Sequence, residues 1–130
     1  MNGRALARRI WIWAPLLAYL SLIFYLSSRS QVPWAASYPD KLLHGFEYAG
    51  LAVLTARALN DGLVRRIPEN RLGIVFVACV AYGISDEFHQ YFVPGRSSDY
   101  RDVLADACGT AIILAVLWLG QRTILAKWAA

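Results

Sequence analysis

What this sequence lacks narrows the reading before anything else does. It has two cysteines, Cys79 and Cys108, and neither belongs to a C-x-x-C pair or to a zinc-type spacing. That leaves no dithiol redox centre and no cysteine-built zinc site, and both thiols fall in apolar runs where cysteine packs as a small hydrophobe. No G-x-S-x-G, H-E-x-x-H, P-loop or dinucleotide glycine pattern occurs, so the common hydrolase, metalloprotease and nucleotide-binding signatures are missing. There is no internal repeat, low-complexity tract or linker, and a single domain over residues 1–130 is expected. The formal net charge is +4, yet the basic residues do not line one face with aromatics between them, so nucleic acid is not an expected partner.

What is present is apolar. Hydrophobic residues make up 58% of the chain and the mean hydropathy is +0.40, against ~45–50% apolar residues in a soluble domain. A chain this short has only a modest water-soluble core available, so lipid must cover the remainder. Four runs carry the apolar residues, at 10–26, 42–59, 72–92 and 103–119. They predict an all-α integral membrane bundle of about four transmembrane helices, near 10–27, 41–59, 72–92 and 100–119. The first run, 17 residues from Ile10 to Leu26, just spans a ~30 Å core at ~1.5 Å per residue. It is too long for the ~7–15-residue core of a signal peptide, and the nearest small-x-small site, Ala35-Ala36-Ser37, lies too far beyond it. An uncleaved helix is expected, kinked at Pro15. Trp34 and Tyr38 suit a membrane–water interface, and Pro94-Gly95 reads as a turn.

Lysine and arginine set the orientation. With the N-terminus cytoplasmic, Arg4, Arg8, Arg9, Arg57, Arg65, Arg66, Arg71, Arg122 and Lys127 fall inside, and Arg29, Lys41, Arg96 and Arg101 outside. Nine against four predicts that both termini face the cytoplasm. The acids divide the other way. Asp61 and Glu69 are inside, whereas Asp40, Glu47, Asp86, Glu87, Asp99, Asp102 and Asp106 lie at or near the outer side.

Helical spacing groups the outer set. Residues three, four or seven apart share a face. Asp40, His44 and Glu47 form one stripe at the start of the second helix. Asp86, His89 and Gln90, flanked by Glu87, form another near the end of the third, and Asp99, Asp102, Asp106 and Gly109 a third at the start of the fourth. A charge turned to lipid near mid-membrane costs ~2.5–3.5 kcal/mol, so the three stripes are expected to face one another around one outward-facing polar cavity. Simpler roles compete. Asp40 after Pro39, and Asp99 with Asp102, fit helix caps; Lys41 fits a snorkelling interfacial lysine; ion pairs to Lys41, Arg96 or Arg101 would make the cluster structural. Asp86, Glu87 and Asp106 sit within apolar runs, where no cap is needed.

The run Asp40-Lys41-Leu42-Leu43-His44, then Tyr48, then DEFHQYFVPGRSSDYRDVLAD from Asp86 to Asp106, resembles the VanZ-like family over about residues 27–118. The order and spacing of the DK..H and DE.HQ.F.PGR..D..D motifs carry the likeness. Family members often have an asparagine near the position of Ala107-Cys108, which this chain lacks. The family is named for a protein linked to resistance to teicoplanin, a glycopeptide antibiotic, and its members are small multi-pass proteins of bacterial membranes. The resemblance therefore implies the bacterial cytoplasmic (inner) membrane and a cell-envelope role, and it supplies no reaction.

Two functions are open on these residues. One is an enzyme acting on a lipid-linked envelope substrate. In it Asp86, Glu87 and His89 are acid–base or ligand groups, His44 and Asp106 support them, and Arg96 clamps an anion, with Lys41, Asp40, Asp99, Asp102 and Gln90 lining the substrate. An oxygen-rich site of this kind suits Mg²⁺ or Mn²⁺, and two histidines also admit Zn²⁺. The other is non-catalytic binding or transport of an envelope component or glycopeptide at the outer face, or a proton relay. A purely structural cluster is the third and plainest reading.

Overall fold

A computed structural model describes residues 2–30, 37–63 and 66–128, with side chains as far as residue 123. Trp34, Ala35, Ala36 and Arg65, and the side chain of Lys127, lie outside the described residues. The chain is all-α: α1 (Gly3–Ser27), α2 (Asp40–Leu59), α3 (Glu69–Gln90) and α4 (Tyr100–Trp128).

The helices start where local chemistry allows and not where the apolar runs begin. α1 opens at Gly3, because the Asn2 side chain accepts the Ala5 N–H at 3.0 Å and the arginines that follow are good helix formers. α2 and α3 each open directly after a proline, Pro39 and Pro68, whose extended backbone leads into the first turn with no side-chain cap. Asp40 is therefore the first residue inside α2 and caps nothing. α2 stops at Asn60-Asp61-Gly62, where Gly62 has φ +120° and its N–H returns to the Arg57 carbonyl at 2.8 Å. α4 runs past Leu119 to Trp128, since Arg122, Thr123 and their neighbours tolerate helix as the apolar run ends.

Pro15 lies inside α1 and has no N–H for the Trp11 carbonyl four residues back. Arg57 of α2 supplies the missing donor. Its guanidinium donates to the Trp11 carbonyl at 2.9 Å and to the Ile12 carbonyl at 2.8 Å. The same device closes the other end of α1. Arg96 donates to the Leu26 and Arg29 carbonyls at 2.9 and 2.8 Å, at the negative end of the helix dipole where the last carbonyls lack partners. Tyrosines pin the middle: Tyr82 donates to the Leu20 carbonyl at 2.9 Å, and Tyr19 to the Glu47 carbonyl at 3.0 Å.

Among the described residues α2 touches all three other helices, while α1 and α4 do not meet. α2 and α4 are the most intimate pair. A Cβ added to Gly109 would stand 1.9 Å from the Gly45 carbonyl oxygen and 2.8 Å from Gly45 Cα, so only glycine lets the two backbones come this close. Tyr48, Leu51, Ala52 and Ala56 of α2 form the core with Val75 and Cys79 of α3, Leu114 of α4 and Ile12, Leu16 and Ile23 of α1. Outside, Trp11, Leu17, Phe24, Ile84, Ile112 and Val116 are exposed, a surface that water would not stabilise but lipid does.

Three helices, α1, α3 and α4, are long and apolar enough to cross a membrane. α2, at 20 residues, is ~30 Å long, about the same reach. It falls short on composition because it carries Asp40, Lys41, His44, Glu47 and Arg57. Of these, His44 is buried and Glu47 half-buried against the neighbouring helices, while Asp40 and Lys41 stand exposed at the helix start, where water can reach them. The chain is a multi-pass membrane protein.

Candidate functional site

At the end of the bundle where α2 and α4 begin, the first polar stripe meets the third. The His44 ring presents Nδ1 3.0 Å from Asp106 Oδ1, the N–H donating to the carboxylate. Both side chains are buried, Asp106 to 1% exposure. α3 makes room for the pair at Gly83. A Cβ added there would stand 2.8 Å from Asp106 Oδ2 and 3.3 Å from the Tyr48 ring. The Tyr48 hydroxyl, one turn beyond His44, is buried without a hydrogen-bond partner within the protein, and the Thr110 hydroxyl, one turn beyond Asp106, is buried beside the Cys79 thiol. Glu47, half-buried, completes this layer, close enough for the charges of His44, Asp86 and Asp106 to act on it.

Toward the helix ends Lys41 organises the carboxylates. Its ammonium pairs with Asp102, with Asp99 at 3.2 Å and with Asp40 at 3.8 Å. Asp99 caps α4 in part as expected, since its Oδ1 accepts the Arg101 N–H at 2.9 Å. In a full capping box Asp102 would reach back to the Asp99 amide. That amide instead donates to Glu87 Oε2 of α3 at 2.8 Å, which leaves Asp102 to Lys41. The Arg101 amide first, and Lys41 beside it, hold the Asp99 carboxyl below its ordinary range. Glu87 is 5% exposed, and its second oxygen, Oε1, has no partner of good hydrogen-bond geometry. Asp86, also buried, accepts from Gln90 Nε2 at 2.9 Å within α3.

Asp40, Lys41, His44, Glu87, Asp99, Asp102 and Asp106 thus come together, with the Asp86–Gln90 pair alongside. Two expected members are placed differently. His89 stacks on Phe24 of α1 at 4.6 Å between ring centroids and pairs through Nε2 with Ser28 Oγ at 3.0 Å. The Ser28 hydroxyl donates to the Phe24 carbonyl, so the His89 N–H is the donor to Ser28. Arg96 lies on the α1 carbonyls described above. Both fasten α1 to α3 and the loop after it, and neither aims at the His44–Asp106 pair.

Sequence reasoning did not name Gly83, Tyr48 or Thr110 as parts of the site. A signal existed for two of them: Tyr48 is four residues after His44 and Thr110 four after Asp106, the spacing that extends each stripe by a turn. Chemically, the layer offers a buried imidazole held by a carboxylate, suited to proton transfer, and a mixed nitrogen–oxygen donor set. The ligating atoms of Asp40, His44 and Asp102 all lie within 4.8 Å of one another.

The family model described as VanZ/LLP1 matches residues 6–121. No match is found among curated proteins or among solved structures.

Proposed function

The chain belongs to the VanZ/LLP1 family, and from that premise we propose that it acts on a cell-envelope component at the bacterial cytoplasmic membrane, with the His44–Asp106 pair as its acid–base group. The observation that carries this reading is the burial of that pair among further carboxylates in a membrane bundle. Buried charges lose hydration that pairing only partly returns, so stability alone gives little reason to collect them. Asp106 orients the imidazole and His44 exchanges the proton. Glu87 and Asp86 are the nearby carboxylates that shape the field, and Asp40, Lys41, Asp99 and Asp102 form the approach from the membrane surface. A lipid-linked substrate fits a site at a helix-bundle end, which bilayer and water both reach. The nine-to-four basic asymmetry supports both termini inside and the cluster outside.

One observation favours a second reading, non-catalytic binding or transport of an envelope component or glycopeptide. Lys41 ties Asp99 and Asp102 into one charged network at the approach, a surface that can hold a ligand without turning it over. Turnover separates the two.

The test uses His44→Gln and Asp106→Asn, each scored for membrane abundance, thermal stability in detergent and glycopeptide susceptibility in a complemented host. The expected result is protection lost well beyond any fall in abundance, with Asp106→Asn, which keeps the shape of the carboxylate, the milder of the two for folding. Loss of abundance in proportion to protection makes the cluster structural and overturns the proposal, as does full protection by both variants.

A further inference from the structure

We propose that Asp40, His44 and Asp102 form a divalent-cation site, in which the ion competes with the Lys41 ammonium for the Asp102 carboxylate. The inference rests on reading the cluster as a working site and deepens it: with the ion bound, His44 Nε2 serves as a ligand, and the acid–base work passes from the imidazole to the ion's open position.

The donor set comes first. Asp40 and His44 are four residues apart on α2 and so share a face, and α4 brings Asp102 to the same place, held there by the Gly45–Gly109 approach. The ligating atoms lie within 4.8 Å of one another. Ligands bound at ~2.0–2.2 Å from one ion stand ~3–4 Å apart, so small side-chain rotations close the site. His44 has its Nδ1 taken by Asp106, which leaves Nε2 for an ion. A carboxylate behind a histidine in this way fixes its tautomer and raises its basicity toward a metal.

Glu87 provides an independent sign. It is buried, it interacts electrostatically with Asp102 and His44, the Ser98 side chain lies near it, and its Oε1 has no partner of good hydrogen-bond geometry. An orphaned carboxylate oxygen is costly to bury. A cation or its bound water on this side would satisfy it.

Charge points the same way. One ammonium faces Asp40, Asp99 and Asp102, so negative charge remains after Lys41 is counted. One nitrogen and two carboxylate oxygens suit Zn²⁺ or Mn²⁺ better than Ca²⁺ or Mg²⁺, which prefer oxygen throughout. With three protein ligands the ion keeps an open position, the arrangement of a catalytic site more than of a structural one.

The full chain, purified in detergent and stripped with chelator, is titrated with Zn²⁺ and with Mn²⁺ alone, and bound metal is counted by elemental analysis and calorimetry. One ion per chain is expected. Asp40→Asn is the safest variant because Asp40 is exposed, and it should weaken binding about tenfold or more, as should His44→Gln and Asp102→Asn. Lys41→Met should tighten it by removing the competitor. Asp61→Asn, at the opposite end, should leave it unchanged. Absence of stoichiometric binding, or binding that Asp40→Asn and Asp102→Asn leave intact, overturns the site. A chain that binds no ion while His44→Gln still abolishes protection removes the cation and leaves the acid–base reading standing. A chain that binds one ion with these dependences, yet protects equally well as His44→Gln, establishes the cation site and refutes the acid–base role.

Discussion

The two ends of the bundle handle charge in opposite ways. At the end where α2 finishes and α3 starts, Arg8 pairs with Asp61 and Arg122 with Glu69, all well exposed. Arg122 also lies over the Trp118 ring at 4.0 Å, and Arg71 donates to the Leu59 carbonyl at 2.9 Å. These cations meet helix ends or lie on the surface, where each pair is worth ~0–1 kcal/mol. At the other end the charges go inward: Asp86, Glu87, Asp102, Asp106 and His44 are all buried. Removing one partner of a buried pair typically costs ~3–5 kcal/mol, yet replacing the whole pair by apolar residues is often neutral or better. One end is therefore what orientation and solubility require, and the other holds an arrangement that stability by itself does not select, as expected where function sets the terms.

The sharpest way to break this comparison is to ask which side of the membrane each end faces. In a background carrying Cys79→Ala and Cys108→Ala, single cysteines are introduced at Ser98→Cys, at the acidic end, and Leu63→Cys, at the basic end. An impermeant thiol reagent applied to intact cells is expected to label position 98 and not position 63, an all-or-none difference. The reverse pattern would place the acidic cluster in the cytoplasm and remove the case for an outer-face substrate.

The next largest effect is steric. Gly109→Leu puts a side chain where the Gly45 backbone already stands, 1.9 Å from the new Cβ. Backbone cannot yield as a side chain can, so the loss should be about 3 kcal/mol, at or beyond the upper end of ordinary overpacking, read as depleted membrane protein and a lowered Tm in detergent. Gly83→Ala is a gentler probe. Its Cβ meets the Asp106 carboxylate at 2.8 Å, and that carboxylate can swing away. The expected outcome is a folded protein, weaker by ~1–3 kcal/mol, whose His44–Asp106 hydrogen bond is lost and, on the proposed function, with it any protection that the wild-type chain gives a host. Equal damage from the two variants would mean that the Asp106 layer is rigid scaffold.

Why the second probe was not visible in the sequence is itself physical. The four helices were legible because apolar runs of membrane-spanning length have few other uses. Their ends were less so, since Arg4, Arg8 and Arg9 extend α1 and polar helix formers extend α4 past Leu119. The meeting of His44 with Asp106 followed from the stripes. His89 did not follow. Three residues after Asp86 it is ~60° round the helix, and Phe24 and Ser28 of α1 take it. Arg96 looked like an anion clamp because a loop arginine carries no sign of which carbonyls it will meet. Gly83 and Gly109 carry no chemistry of their own, so their importance exists only once a neighbouring helix is in place.

The smallest expected effect tests the quiet end. Arg8 and Asp61 have side chains 64% and 57% exposed, so water competes for both charges. Asp61 has φ +59°, a left-handed conformation that asparagine accepts readily, so Asp61→Asn removes the charge without straining the backbone. A double-mutant cycle of Arg8→Met and Asp61→Asn, followed by thermal unfolding in detergent, should give a coupling of ~0–1 kcal/mol. Raising salt to ~1 M, where the Debye length is ~3 Å, should shrink it further. The matched cycle of Lys41→Met and Asp102→Asn should behave otherwise. Asp102 is 5% exposed at its side chain against 44% for Lys41, so removing the lysine alone leaves a buried carboxylate without its counter-ion, and the coupling should be larger and resist salt. Similar couplings in the two cycles, equally screened, would erase the distinction between the ends and make the acidic cluster another surface network.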